Sequence, residues 1–234
     1  RHEASDFYGG RFHAEVKGDA RDVVLKTSLD LQIDGFDGAT FLKEWAEGDV
    51  LASGGTTFVL TIKSNGLTER ALRRNTSGSA RFQVTRGALK IRDPGSPPPS
   101  PQEPAATATP AAAPSTAPPA KAAEPKYDLL PFSVLSASYT AREGVAYTND
   151  FLIDGKEMKV NGSGSVDLRD ESIDLSVVAT LDSGNKVPAT VKGPLDDPKL
   201  EIDRNKLVGD MVYRVLKGII TLPAKALGKI LFLE

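Results

Sequence analysis

Two adjacent carboxylates, Asp196-Asp197, sit between Pro194 and Pro198 in the stretch VKGPLDDPKLEID, residues 191–203. A carboxylate pair can act as general acid and base only where neighbours push its two pKa values apart. Nothing beside this pair would do so. Both prolines lack an amide donor, so neither belongs inside a central strand, and aspartates between them suit a turn that caps local amides. The stretch reads as a bend between two strands. Gly162-Ser163-Gly164-Ser165 is similar to part of a phosphate loop, but it lacks the third glycine and the helix that should follow. Its flanks, Met158-Lys159-Val160 and Val166-Asp167-Leu168, make it a bulge or bend within a strand. Asn149-Asp150 and Asp170-Glu171 read as solvated turns.

The residues needed for other chemistries are scarce. The chain has no cysteine and two histidines, His2 and His13, both near its start. Zinc or non-haem iron would have to be held mostly by carboxylates, and a Ser-His-Asp triad has no sound assembly. No GxSxG, HExxH, P-loop or EF-hand pattern occurs. The expectation is a protein that is not an enzyme, with no catalytic residue, no metal and no cofactor. With 29 basic and 31 acidic residues among 234, the net charge of −2 offers no electrostatic reason to expect nucleic acid.

What the chain does carry is strand grammar. Leu29, Leu31 and Ile33 alternate with polar residues, as do Phe58, Leu60 and Ile62, then Ala80, Phe82 and Val84. The pattern returns at Leu135, Ala137 and Tyr139, and at Ile173, Leu175, Val177, Ala179 and Leu181. Period-two alternation over this many segments predicts a mainly β protein: an antiparallel sheet with one apolar and one wet face. Arg86-Gly87, Glu143-Gly144, Asp154-Gly155, Asp170-Glu171 and Ser183-Gly184 fall at hairpin spacing. Two short helices are expected. One carries Phe41, Leu42, Trp45 and Ala46 after Thr40 as N-cap, and the other follows Gly66 over Thr68–Leu72.

Composition divides the chain into four parts. Residues 1–93 form a first β segment and residues 127–203 a second that continues the same sheet. Between them, residues 94–126 hold 11 of the 16 prolines and almost no large apolar side chain, the composition of an extended, disordered linker. Residues 204–234 read as an amphipathic helix broken at Pro223. Six basic residues there face two acidic ones. Such a helix can cover the sheet, or it can meet a membrane with Met211, Val215, Ile219, Leu227 and Ile230 against lipid and Lys217, Lys225 and Lys229 against headgroups. No stretch is apolar over the 20 or so residues that a membrane-crossing helix needs. The opening Arg1–Asp6 has no apolar signal-peptide region and reads as a cut within a longer protein.

In order along the chain, several pieces resemble the C-terminal region of the AsmA family of bacterial envelope proteins. Tyr8-Gly9-Gly10-Arg11-Phe12 is similar to the family's Y-G-G strand opening, and Gly35-Phe36-Asp37 leads into a short helix as its "G-v-d" segment does. Ser64-Asn65-Gly66-Leu67 with Asn75–Phe82 is similar to its "l-n-G-x-g-x-f" hairpin, and Leu135–Tyr139 with Gly144-Val145 to a later run. Val160–Leu168 resembles "v-x-G-x-G-x-v-D-L", and Val187–Pro198 the "v-P-v-x-v-x-G-x-l-x-x-P" ending. The proline-alanine segment departs from the pattern. The resemblance implies an elongated, curled sheet in the periplasm, held to the inner membrane by an N-terminal helix that this sequence does not include.

It further implies phospholipid carried between membranes on the apolar sheet face, in the service of outer-membrane biogenesis. The residues assigned to that groove are Leu29, Leu31, Ile33, Phe58, Leu60, Ile62, Phe82, Val84, Leu175 and Val177. Phospholipid, a membrane surface and other envelope proteins are the expected partners. The competing expectation is a scaffold for outer-membrane proteins, in which the apolar face is ordinary core.

Overall fold

A computed structural model describes residues 2–21, 23–45, 50–92 and 127–202. These form eleven strands and two helices: β1 His2–Phe7, β2 Gly10–Asp19, β3 Lys26–Asp37, α1 Gly38–Trp45, β4 Leu51–Asn65, α2 Glu69–Arg74, β5 Ser77–Arg92, β6 Tyr127–Arg142, β7 Val145–Gly155, β8 Met158–Asp167, β9 Ser172–Leu181, β10 Lys186–Pro194 and β11 Lys199–Ile202. All belong to one antiparallel sheet, open among the described residues, whose spatial order is the chain order. Tight turns account for most of this meander, since they place a strand only beside its predecessor, but β5 and β6 are joined through residues 93–126.

The two β segments are continuous. β5 and β6 pair along their length, from Gly78 opposite Ala141 to Arg92 opposite Tyr127. The ends flanking residues 93–126 are therefore cross-strand neighbours. Replacing 93–126 by a Gly-containing turn of about four residues should leave the fold intact. It removes about three doublings of loop length, worth about 0.6 kcal/mol each. A small rise in stability, about 2 kcal/mol in urea unfolding, is expected, and loss of cooperative folding would show that the segment is packed.

In β9 and most of β6 buried side chains recur at every second position, as the sequence alternation requires. One line of cross-strand partners crosses eight strands: Phe36, Thr56, Val84, Leu135, Ile153, Val160, Ala179 and Val187. None of these eight is more than 4% exposed. Thr56 enters this apolar line beneath α1, where a Cβ on Gly38 would lie 2.1 Å from its hydroxyl.

The two helices sit in the β3–β4 and β4–β5 connections, at opposite strand ends. α1 buries Phe41 and Leu42, and Phe41 packs with Phe7, Tyr8 and Phe36 at ring separations of 5.4–5.8 Å. Its cap is Asp37, one carboxylate oxygen of which accepts the Ala39 amide at 3.0 Å and the other the Thr40 hydroxyl at 2.7 Å. This corrects the reading of Thr40 as the cap: the strand delivers Asp37 first, and its charged side chain takes the role, with Thr40 donating to it. α2 starts one residue later than the expected Thr68–Leu72 and is capped by Thr68, whose hydroxyl accepts the Ala71 amide at 3.2 Å.

Arg86-Gly87 is not a hairpin turn. It lies inside β5, where Arg86 takes a left-handed φ of 52° and the pairing with β4 shifts register between Ser53 and Gly55. This is a β-bulge, the other structure that such a dipeptide supports. The turn after Asp154-Gly155 falls at Lys156-Glu157, since Gly155 still belongs to β7. Asp196 and Asp197 are exposed in the bend between β10 and β11, and Pro194 is the last residue of its strand. The linker and the C-terminal segment fall outside the described residues.

Candidate functional site

The side chains assigned to a groove stand in register rather than scattered. Leu31 lies opposite Leu60, which lies opposite Ala80 and, one strand on, Tyr139. Ile33, Phe58, Phe82 and Ala137 form the next line, and Leu29 pairs with Ile62. Val84 belongs to the eight-strand line. Leu175 and Val177 lie on β9, opposite Gly164 and Gly162 of β8 and Val191 and Ala189 of β10. The ten residues thus fall into a β3–β5 group and a β9 pair, with β6 to β8 between them.

The side chains joining the two groups include Leu135, Ile153, Met158 and Val160, all at most 4% exposed. The sequence hides this middle because alternation fails there: Asn149-Asp150 interrupts β7, and Gly162 and Gly164 replace side chains on β8. The remaining eight candidates, Met211, Val215, Lys217, Ile219, Lys225, Leu227, Lys229 and Ile230, lie outside the described residues.

Exposure along the face is graded. A single cross-strand line runs through Val16, Leu29, Ile62, Gly78, Ala141, Ala146, Val166 and Ile173. Val16 is 67% exposed, Leu29 and Ile62 are partly buried, and Val166 is 1% exposed. Exposure on this line falls from β2 towards β8, while on the neighbouring lines Leu31, Ile33, Phe58 and Leu60 of β3 and β4 are buried. An apolar cavity of about 20 Å³ lies among Leu60 of β4, Ala80 of β5, Tyr139 of β6, Ala146 of β7 and Val166 of β8. That is room for one water at most. Burial and the nearby Asp150 carboxylate push the Tyr139 hydroxyl up to about 12, so it adds no charge to this wall at neutral pH.

The interruption in β7 is a built feature. The pairing of β7 with both β6 and β8 shifts register around Asn149-Asp150, which opens the ladder. The Asp150 carboxylate fills the gap, accepting the Ser138 amide at 2.8 Å and the Thr148 hydroxyl at 3.2 Å. Burial alone would raise its pKa, but these bonds hold it below the ordinary aspartate value. A carboxyl held low in the folded state stabilises fully above the unfolded value of about 4, and that contribution is lost as pH falls through the folded value. Asp150→Asn should therefore cost about 1 kcal/mol at neutral pH, the carboxylate being solvent-screened. The difference in melting temperature between variant and parent should shrink on acidification. A difference unchanged down to pH 3 would exclude the bulge carboxylate as its source.

α2 closes one end of the strands. Arg73, 13% exposed at its side chain, reaches Glu69 at 2.5 Å and also pairs with Glu171, in the turn between β8 and β9. The Gly144 amide, in the β6–β7 turn, donates to Thr76 O at 2.9 Å. A helix inserted before β5 therefore contacts a turn that follows β8.

Two arrangements considered for chemistry are not assembled. His13 lies on β2 opposite Gln32, far along the sheet from the β10–β11 bend. Among the described residues, no three His, Asp or Glu side chains converge as metal ligands would, and no helix is long and apolar enough to cross a membrane. No known protein family, characterised protein or solved structure matches the chain.

Proposed function

We propose that this chain is the lipid-facing part of an AsmA-like envelope protein. In this reading one face of the sheet is apolar, the sheet curls along its length, and the concave side carries phospholipid acyl chains between membranes of the periplasm in outer-membrane maintenance. No catalysis is assigned to it. The observation that carries the reading is the register: apolar positions aligned from strand to strand, with Leu29, Ile62 and Phe82 only partly buried and Val16 exposed on β2. A plain soluble domain rarely leaves such a surface open at one side. The Arg73–Glu171 pair supports the curl, since a flat sheet would hold α2 and the β8–β9 turn about four strand spacings apart, roughly 19 Å. Acyl chains would lie at the β2–β5 half, where Phe12, Leu29, Ile62 and Phe82 are only partly buried.

A second reading, a scaffold in which the face is ordinary core, is favoured by one observation: Leu135, Ile153, Met158 and Val160 of the middle strands are at most 4% exposed. Native mass spectrometry and organic extraction of the purified full chain separate the two. Stoichiometric co-purified phospholipid supports lipid carriage. A lipid-free protein that also takes up no added phospholipid retires it in favour of the scaffold.

A further inference from the structure

The strand ends on the α2 side carry an apolar tip with a basic surround. Val23, 87% exposed, lies in the β2–β3 loop, and Leu67, 71% exposed, in the β4–α2 loop. The Gly66 amide donates to Leu25 O at 3.0 Å, which clamps the two loops together. Val16, 67% exposed, lies on β2 three ladder pairs in from the same strand end. Single exposed valines or leucines need no explanation, but two held on loops clamped together at the tip of a sheet do.

Charge is segregated at the same corner. Segments 17–26 and 63–74 hold seven Lys or Arg against three Asp or Glu, within a chain whose net charge is −2. On the outward face Lys17 lies opposite Ser28, which lies opposite Lys63 and, beyond it, Ser77, while Lys26 lies opposite Asn65. These residues line a cleft of about 410 Å³. Two carboxylates accompany them: Asp19, the cross-strand partner of Lys26, also lines the cleft and binds Arg21 at 2.6 Å, and Glu15 binds Lys17 at 3.0 Å. Asp30, in the next row, faces Glu15 and Thr61. Lys17, Arg21, Lys26 and Lys63 outnumber Asp19 and Glu15 around the cleft, so an anion seated there meets net positive charge.

We propose that this corner docks on an anionic lipid bilayer. Val23 and Leu67 enter the headgroup–acyl boundary, and Lys17, Lys26 and Lys63 hold lipid phosphates with the serine and asparagine side chains beside them. Exposed apolar tips rimmed by cations are the combination that interfacial binding uses. A protein partner fits less well, because protein interfaces are depleted in lysine. The docking stands on these residues alone, whether or not the sheet face carries lipid, and it places the exposed β2 end of that face next to a membrane.

The test uses the full chain and vesicles of phosphatidylcholine with or without phosphatidylglycerol. The parent should bind the anionic vesicles, and the Lys17→Ala/Lys26→Ala/Lys63→Ala variant about 100-fold more weakly, at an unchanged unfolding temperature. The chain has no cysteine, so Leu67→Cys can carry a polarity-sensitive dye. Its emission should shift to the blue on anionic vesicles, while dye on Val178→Cys, in the middle of β9, should not respond. A triple variant that binds as tightly as the parent assigns any membrane affinity to another segment and overturns the proposal, as does an unshifted dye at position 67.

Discussion

Leu60→Ala is expected to lower the free energy of unfolding by about 2–5 kcal/mol, and Phe82→Ala by much less while releasing bound phospholipid. Leu60 is 2% exposed between Leu31 and Ala80, so its truncation leaves a cavity that the ladder cannot close. Phe82, between Phe58 and Ala137, is only partly buried, and a side chain left half open on a face of this kind is better placed to contact a ligand than to fill a core. Urea unfolding and the lipid content of the same preparations give the two readouts. Introducing charge, as Leu60→Asp or Phe82→Asp, should abolish lipid retention altogether. If Phe82→Ala instead costs 3–5 kcal/mol and leaves lipid content unchanged, the surface is a core, and lipid carriage on it is refuted.

Gly164→Ala should destabilise by about 3 kcal/mol, more than the loss of one hydrogen bond. A Cβ at Gly164 would sit 2.1 Å from Asp174 O and 2.7 Å from Leu175 Cα, both backbone atoms of β9. Backbone within a paired strand cannot step aside, so the β8–β9 ladder must part locally. Gly78 is a second such position, with Thr61 O 2.0 Å from its would-be Cβ. Hydrogen exchange should locate the damage in the pairs from Gly162–Val177 to Val166–Ile173. A variant as stable as the parent would mean that the strands are further apart than described.

The strands were legible because a half-buried antiparallel strand imposes period two directly on its sequence, as Leu29-Leu31-Ile33 and Phe58-Leu60-Ile62 do. The turn reading of Asp196-Asp197 held for the same reason, since two prolines leave the backbone few alternatives. The reading of the Gly162–Ser165 run as a bend or bulge in its own strand is corrected: the run pairs with β9 without a register shift, and the extra residue lies on the neighbouring strand β7, at Asn149-Asp150. What the sequence could not convey was the middle of the face. β7 and β8 each lose their alternation at this mismatch, so Ile153 and Val160, both fully buried, looked like isolated apolar residues. The cap of α1 was misplaced by three residues because both Asp37 and Thr40 are competent caps, and only backbone geometry chooses between them. The open corner at Val23 and Leu67 has no periodic signature, since two loops distant in sequence must be brought together to form it.

Chain-order pairing also has a kinetic meaning. A meander in which each strand pairs only with its neighbours in sequence can zip outward from any hairpin, without waiting for a distant segment. One junction is the exception. β5 and β6, the two longest strands at 16 residues each, share a ladder from Gly78–Ala141 to Arg92–Tyr127, yet residues 93–126 separate them in sequence. The five strands before that gap and the six after it can each propagate on their own, and their union is the event with the greatest loop-closure cost. The longest ladder of the sheet stands where chain closure is hardest, so refolding should pass through two half-sheets whose docking along β5–β6 sets the rate.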